Sequence, residues 1–409
     1  MADELAVWLY GDCVAVIGRV RDRLRMRYTE AALERYPLGT PLLSLTLPVA
    51  NRRYPQGVVR TFLDGLLPEG DSRTAIARDV GVAPTDTYGL IRALGRDCAG
   101  AVVMQPVGAA EPAQPTTLTA EPIDDETLET IVRDLRTAPL GVGGRVRISL
   151  AGVQEKVVLT RLPDGRWGRP IDGTPSTHIL KPEIAAFPDA VQNEVFCMRL
   201  AQNLGLPAAN VATTAIAGRR VIVVERFDRR VTLDGDVERI HQEDFCQATG
   251  TPPEAKYEEN GGPSLRKIAA ILANVAEPNA VERLLAAMTV NALIGNGDAH
   301  AKNFSLQHNP TGSLTLAPLY DLLSTLDYGD DRLAMHIDNV HRTNRVTAAR
   351  LVNEAASWGI PRNRAREVID ELLANAPNAI ERAADATEDL PAALIDTVHG
   401  QLKQLLSAW

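Results

Sequence analysis

Residues 291–306 read NALIGNGDAHAKNFSL, and this stretch decides the fold that the sequence predicts. An apolar helical run, roughly Leu284–Ile294, stops at Gly295, and polar side chains then crowd into one short loop. Asp298 and Asn303 have the spacing of the catalytic base and the metal-binding amide in the kinase pattern D-x-x-x-x-N. The loop therefore predicts a phosphoryl-transfer site with Asp298 as its base.

A second acidic residue, Asp321, follows the loop in the apolar segment LAPLYDLLST. Phosphoryl transfer needs one carboxylate for the attacking hydroxyl, and an amide and a carboxylate to hold Mg²⁺ on the phosphates. Asn303 and Asp321 are therefore the candidate magnesium ligands. Because the pattern is short, Asp298 and Asn303 also fit a helix cap, and Asp321 fits a turn. The loop alone leaves both interpretations open.

Composition restricts the class of protein. With 409 residues and 45% hydrophobic content, the chain is expected to form more than one domain with well-buried cores. A net charge of -9 argues against a chain that coats nucleic acid, so contact with DNA is expected only through a basic partner. The cysteines form no C-x-x-C pair, and we find neither a leader peptide nor a membrane-spanning apolar run. These features predict a cytoplasmic protein with no membrane contact.

The sequence predicts four successive parts. Residues 1–105 alternate strand-like and helical segments, including a strand-like stretch at 42–49, and predict a compact α+β module. Residues 106–125, rich in Ala, Pro and Thr, predict a linker. Residues 126–240 are strand-rich around one helix, which is the outline of a kinase small lobe, and residues 241–409 predict a helical large lobe.

Three features upstream of the loop follow the order found in protein kinases. The segment RISLAGVQEKVVLT, residues 147–160, predicts a small-residue turn between strands that backbone N–H groups can use to approach phosphates. Lys181 ends an apolar strand, as the kinase phosphate lysine does, and Glu194 stands in the next helix as its partner. Val221–Arg229 is placed as a connection between lobes. Taken one at a time, the three features also fit ordinary structure: a hairpin, a lysine that extends from a strand end to solvent, and an edge strand. Their order along the chain favours an ATP-dependent phosphotransferase.

The same segments resemble a known family. GNGDAHAKNFSL, APLYDLLST, ISLAGVQEK, THILKP, VERFDR and HQEDFCQATG look like the HipA family of serine/threonine-protein kinases, the toxins of bacterial toxin–antitoxin pairs. FLDGLLPEG and LGRDCAGAV resemble the N-terminal domain of that family, so the resemblance covers nearly the whole chain. It implies an α+β, protein-kinase-like bilobal fold: a β-rich small lobe with an N-terminal α+β module, and an all-α large lobe.

The resemblance also implies roles for individual residues. Asp298 matches the catalytic base, Asn303 and Asp321 match the Mg²⁺ ligands, and Lys181 matches the lysine that contacts the ATP phosphates. Ser149 matches the regulatory autophosphorylated serine. A dianion at that position would repel the phosphates of ATP and eject the adjacent loop, which would switch the enzyme off.

The rest of the nucleotide site is implied in the same way. Glu225 and Phe227 match the adenine-contacting hinge pair, and Tyr320 matches the aromatic residue beside the nucleotide. The phosphate-binding loop is matched by Ala151, Gly152, Val153, Gln154, Glu155 and Lys156.

The resemblance further implies partners. These are a HipB-like helix-turn-helix antitoxin, which binds the kinase and operator DNA, and a translation factor as substrate, glutamyl-tRNA synthetase in the best-known member. Two other hypotheses stay open. G-D-x-H-x-x-N also resembles aminoglycoside and other small-molecule phosphotransferases, and a nucleotide-binding corepressor that acts through its antitoxin is a non-enzyme alternative. FLDGLLPEG favours the HipA interpretation, because small-molecule kinases have no counterpart.

Overall fold

The computed structural model describes residues 3–21, 23–112, 116–117, 120–135, 155–171, 173–184, 186–309, 312–407 and 409. Helices and antiparallel sheets both contribute, which confirms the α+β prediction.

The N-terminal part folds around its own apolar core, which runs from Leu5 to Met104. Its sheet has the strand order β3-β2-β1-β4. A hairpin joins β1 to β2 through Tyr10 and Gly11, whose φ values of 51° and 87° are those of the turn favoured between twisted strands. The elements are β1 (Glu4–Leu9), β2 (Asp12–Val20), β3 (Arg23–Tyr28), α1 (Glu30–Arg35), α2 (Gln56–Leu66), α3 (Gly70–Asp79), α4 (Thr87–Leu94) and β4 (Val103–Pro106).

The strand expected over residues 42–49 is wrong, because this stretch forms turns. Ser44 Oγ lies 2.8 Å from Thr46 Oγ1 and accepts the backbone N–H of Thr46, so these side chains compete with strand pairing. The Ser44 hydroxyl and the Leu45 N–H both donate to the carboxylate of Glu243 in the large lobe. Leu43, Leu47 and Val49 are buried at alternating positions, as in a strand, but the Leu45 N–H binds Glu243 instead of a neighbouring strand.

The small lobe is a sheet in the order β10-β11-β9-β7-β8-β6, with β12-β13-β5 beside it. Residues 106–125, predicted as a linker, supply the short strands β5 and β6 to these sheets. The elements are β5 (Thr116–Thr117), β6 (Ala120–Pro122), α5 (Asp125–Asp134), β7 (Val157–Arg161), β8 (Trp167–Pro170), β9 (His178–Pro182), α6 (Ala190–Asn203), β10 (Val211–Ile216), β11 (Arg219–Glu225), β12 (Arg229–Val231) and β13 (Asp236–Arg239).

The large lobe is mainly helical, and its helices share one core with α6 of the small lobe. The elements are β14 (His241–Asp244), α7 (Phe245–Thr249), α8 (Leu265–Val275), α9 (Ala280–Ile294), β15 (Ser305–His308), β16 (Leu314–Leu316), β17 (Arg332–Ile337), β18 (Val340–Arg342), α10 (Ala348–Ser357), α11 (Arg362–Asp385) and α12 (Ala392–Leu406). No helix in the described ranges is both long enough and apolar enough to cross a bilayer.

The expectation of an all-α large lobe therefore needs correction. A sheet in the order β14-β15-β16 and a β17-β18 hairpin lie among the helices. Each strand has between three and six residues, which is too short for an alternating pattern to identify. The correction matters for the site, because β15 directly follows the Asp298 loop.

A buried ionic cluster joins the N-terminal part to the end of β11. Asp97 accepts from Arg229 at 2.8 Å, and Asp228 accepts from Arg226 at 2.8 Å. Arg239 lies 3.6 Å from Asp97, and all five side chains are at most 3% exposed. Burial alone would raise the pKa of both carboxyls, but the surrounding guanidinium groups hold the pKa of each below its usual range. The cluster contains three arginines and only two aspartates, so each carboxylate is needed to balance the buried positive charge.

We expect Asp97→Asn to lower the free energy of unfolding by about 3–5 kcal/mol, because it leaves buried arginines without a counter-charge. Chemical denaturation of the two proteins measures the difference. Asp164→Asn is the control, since Asp164 pairs with Arg166 at 2.8 Å on the exposed surface and should change nothing measurable. An equal loss of unfolding free energy in the two variants would contradict the conclusion that the cluster holds the N-terminal part against the rest of the chain.

Candidate active site

One large cleft is lined by side chains from the N-terminal part, the small lobe and the large lobe. It encloses about 1280 Å³, which is enough for a nucleotide together with part of an acceptor. The predicted site residues that line it are Glu155, Lys156, Lys181, Glu225, Phe227, Asp298, Asn303, Tyr320 and Asp321. The structure therefore brings together every predicted site residue that it describes.

Lys181 lies at the centre of this cleft and joins the two lobes. It is held on β9, where its backbone pairs with Ile222 of β11. Its Nζ donates to Glu194 Oε1 of α6 at 2.8 Å and to Asp321 Oδ1 at 2.6 Å. The pairing of Lys181 with Glu194 is thus observed as predicted.

Lys181 and Asp321 shift each other's pKa in opposite directions. Burial alone would lower the pKa of Lys181, but the carboxylates of Asp321 and Glu194 raise it above its usual range. Burial alone would raise the pKa of Asp321, but the charge of Lys181 holds it well below its usual range. Asp321 is therefore ionised at neutral pH.

Asp321 has the backbone and the exposure expected of a ligand-binding residue. Its φ is +58°, a left-handed conformation that Asp tolerates better than most side chains. Its side chain is 38% exposed, whereas that of Lys181 is 8% exposed. One carboxylate face therefore binds Lys181 while the other is accessible from the cleft.

The loop that carries Asp298 is shaped by its small residues. Helix α9 ends at Gly295, whose φ of 68° gives the left-handed C-cap. The Gly297 N–H donates to Thr325 Oγ1 at 2.8 Å, and Gly297 O accepts from Ala334 of β17 at 2.7 Å. A Cβ at Gly297 would collide with the carbonyl oxygen of Arg332, so glycine is required there.

Asp298 and Asn303 are oriented within this loop. The backbone N–H of Asp298 donates to Asn296 Oδ1 at 3.0 Å, and Asn303 Nδ2 donates to the backbone oxygen of Asp298 at 3.1 Å. Because the amide nitrogen of Asn303 is engaged, its amide oxygen is the atom that remains for a cation. Burial raises the pKa of Asp298, which strengthens it as a proton acceptor.

The predicted adenine-contacting residues also line the cleft. The rings of Phe227 and Tyr320 are stacked, with centroids 5.2 Å apart and planes 26° apart. Tyr320 donates to the backbone oxygen of Lys302 at 2.7 Å, which fixes the ring against the Asp298 loop. Glu225 accepts from Asn210 Nδ2 at 2.8 Å, and its N–H donates to Asn210 O, so the end of β11 is fixed too.

The phosphate-binding loop is described in part. Ser149, Ala151, Gly152, Val153 and Gln154 lie outside the described residues, and their roles stay predictions. Glu155 and Lys156 follow directly and line the cleft. Burial, and next the charge of Lys181, lower the pKa of Lys156 to about 8.

The sequence did not predict the residues that anchor the Asp298 loop through Lys302. Lys302 donates to Asp244 Oδ2 at 2.6 Å and lies 3.8 Å from Glu69 Oε1. Asp244 is also the N-cap of α7, with a capping box to Gln247. A Cβ at Gly65 would lie 2.5 Å from Gln247 Cγ, so only glycine permits this approach. The available signal was the motif FLDGLLPEG, which contains both Gly65 and Glu69.

The donor set fits Mg²⁺. In the described part of the chain, no three His, Cys, Asp or Glu side chains are grouped to hold a metal ion. Mg²⁺ does not need such a group, because it takes one or two protein oxygens with phosphates and water completing the octahedron. Asn303 and Asp321 offer one amide oxygen and one carboxylate in the same cleft.

Comparison with known proteins gives consistent results for both halves of the chain. Residues 5–105 match the HipA N-terminal domain, and residues 148–380 match the HipA-like C-terminal domain. A Sinorhizobium fredii protein named "Putative kinase Y4mE" is 39% identical over 408 residues, covering 94% of this chain and 93% of the relative.

Two further matches, one protein sequence and one solved structure, come from Shewanella oneidensis. The serine/threonine-protein kinase toxin HipA is 35% identical over 340 residues, covering 79% of this chain and 76% of the relative. The solved complex of HipA, HipB and its operator DNA matches with a TM-score of 0.83 and 30% identity, covering 98% of this chain and 96% of the matched chain.

We expect the affinity for a non-hydrolysable ATP analogue to fall as pH rises from about 7 to about 9, by roughly tenfold, because Lys156 loses its charge near pH 8. The Lys156→Met variant should bind the analogue more weakly than the wild type at pH 7, and its affinity should change little between pH 7 and pH 9. Calorimetry at three pH values measures both. Lys403→Met, which changes an exposed side chain on α12, should follow the wild type. An equally steep fall in affinity in Lys156→Met would contradict the prediction.

Proposed function

The chain belongs to the HipA family of serine/threonine-protein kinases, and we propose that it acts as the toxin of a HipA/HipB-like toxin–antitoxin pair. Its reaction would transfer the γ-phosphoryl group of ATP to a serine or threonine of a protein. One observation carries the proposal: Lys181 binds Glu194 and Asp321 through a single ammonium group, in the cleft that also contains Asp298 and Asn303.

The proposed reaction assigns one task to each of these residues. Asp298 accepts the proton of the acceptor hydroxyl as the new oxygen–phosphorus bond forms. The bond between the γ-phosphorus and the bridging oxygen breaks, and ADP leaves with the electron pair. Lys181 supplies positive charge beside the phosphates, and Glu194 keeps that ammonium in place.

The metal site is proposed from the fit of its ligands. Asp321 and Asn303 would hold Mg²⁺, which when bound neutralises charge on the phosphates. Asp321 has one oxygen on Lys181, so it would link the lysine to the cation. Phe227 and Tyr320 would position the adenine end of ATP by packing against it.

The proposal extends to the regulation of the enzyme and to its partners. Ser149 would be the autophosphorylated serine that inactivates the enzyme, and a HipB-like helix-turn-helix antitoxin would bind the kinase and carry it to operator DNA. The solved HipA, HipB and operator DNA complex supports the partner. The substrate is proposed to be an aminoacyl-tRNA synthetase or a related translation factor, so that the toxin inhibits translation.

We expect Asp298→Asn to reduce phosphate incorporation into the chain by at least roughly a hundredfold, because the general base is lost. Purified protein is incubated with Mg²⁺ and radiolabelled ATP, and mass spectrometry locates the phosphate, which is expected on Ser149 in the wild type. Asp331→Asn, which removes an aspartate paired with Arg342 outside the cleft, is the control. Equal labelling of wild type and Asp298→Asn would refute the catalytic assignment.

The same pair of proteins separates the competing hypotheses in cells. Phosphoproteomics of cells expressing the wild type or Asp298→Asn should give one dominant protein target for a toxin kinase. Aminoglycoside modification without any labelled protein would instead favour a small-molecule phosphotransferase. Repression of the operon that is unchanged by Asp298→Asn, with no labelled target, would favour the corepressor.

We expect Asp321→Asn to abolish the dependence of nucleotide affinity on Mg²⁺ and to slow phosphoryl transfer by roughly 10²–10³-fold. Calorimetry with the ATP analogue, with and without Mg²⁺, measures the first effect. The wild type should bind more tightly with the metal, and Asp331→Asn should behave like the wild type. A wild type that binds the analogue equally well in both conditions would exclude Asp321 as a metal ligand.

A further inference from the structure

A tyrosine from an insert of the large lobe contacts the proposed base. Two short 3₁₀ turns, Pro253–Ala255 and Glu258–Asn260, lie along the cleft. Tyr257 lies between these turns, and its hydroxyl donates to Asp298 Oδ1 at 2.7 Å. Within the described residues, no other side chain donates a hydrogen bond to this carboxylate. The second oxygen, Oδ2, is therefore the one left for an acceptor hydroxyl.

The segment that carries Tyr257, which we call the strap (residues 253–262), is tied down on both sides. Lys256 Nζ lies 3.3 Å from Glu69 Oε2 of the N-terminal part, with both side chains largely buried. Glu258 Oε2 accepts from the backbone N–H of His336 on β17 at 2.7 Å. Gly262 lies so close to the carbonyl of Ala255 that a Cβ would be 2.5 Å from it. The position of the hydroxyl is thus set by the fold.

The ring and the hydroxyl of Tyr257 are both constrained. The ring meets His300 edge to face, with centroids 5.4 Å apart and planes 84° apart. Burial, and next the charge of Asp298, raise the pKa of Tyr257 well above its usual range, so the hydroxyl remains a donor in any working buffer. A fixed donor on one oxygen leaves the carboxylate of Asp298 little freedom to rotate.

We propose that Tyr257 is a positioning residue for phosphoryl transfer: it holds the carboxylate of Asp298 so that Oδ2 faces the acceptor hydroxyl. This inference rests on the proposed role of Asp298 as the base. It also assigns a function to the strap, which links the N-terminal part and β17 to the reacting oxygen. Because the effect of Tyr257 passes through Asp298, it should appear in the rate of transfer and not in the binding of ATP.

The test uses the full-length protein and its own phosphorylation by Mg²⁺ and ATP. Tyr257→Phe keeps the ring and removes the hydroxyl. We expect the maximal rate to fall about tenfold, with the ATP concentration for half-maximal rate unchanged within twofold. In the Asp298→Asn background, adding Tyr257→Phe should lower the residual rate by less than twofold, because residues that act as one unit are not additive.

Tyr36→Phe is the matched control. It removes a tyrosine hydroxyl that also faces an aspartate, Asp12, but far from the cleft, and its rate should stay within twofold of the wild type. Thermal unfolding of each variant identifies a loss caused by misfolding.

Three results would overturn the proposal. These are a wild-type rate in Tyr257→Phe, a tenfold loss that persists in the Asp298→Asn background, and phosphate found on Tyr257 itself. If Asp298→Asn is as active as the wild type, the proposed function fails first. If Asp298→Asn is inactive and Tyr257→Phe is normal, only the role of Tyr257 fails.

Discussion

The buried ion pairs around Asp97 and Asp228 are the constraint on which the rest of the site depends. Asp97, in a loop of the N-terminal part, lies 3.6 Å from Arg226 and 2.8 Å from Arg229, which flank Phe227 in the chain. Moving this segment would separate charges that have no access to water, which is far more costly than breaking an exposed pair. The position of Phe227, and with it this end of the cleft, is therefore set from outside the two lobes.

The N-terminal part also reaches the opposite side of the cleft. Glu69 lies near Lys302 of the Asp298 loop and near Lys256 of the strap, while Gly65 allows helix α2 to approach α7. The N-terminal part thus contacts the segment around Phe227, the Asp298 loop and the strap. In energetic terms, its folding and the geometry of the cleft are coupled, because the joining contacts are charged and buried.

The sequence predicted which side chains meet in the cleft better than it predicted the contacts that support them. Lys181 could be paired with Glu194, and Lys181, Asp298 and Asp321 could be assigned to one site, because phosphoryl transfer requires these side chains. The direct contact between Lys181 and Asp321 was not predicted. The partners of Lys302, and the contact of Tyr257 with Asp298, depend on how distant segments meet, and no local periodicity encodes that. The strand expected at residues 42–49 failed for a related reason, since the Ser44 hydroxyl and the Leu45 N–H bind Glu243 of the large lobe instead of a neighbouring strand.

The cluster around Asp97 has an evolutionary consequence. A gene fragment that began after residue 106 would encode both lobes complete with the arginines at 226, 229 and 239, yet without the carboxylate that lies against Arg229 and Arg239. Recombination that exchanged the first hundred residues for those of an unrelated protein would have the same result. In this lineage, the two segments are therefore expected to be inherited as one unit, and a substitution on either side of the joint would have to be matched on the other.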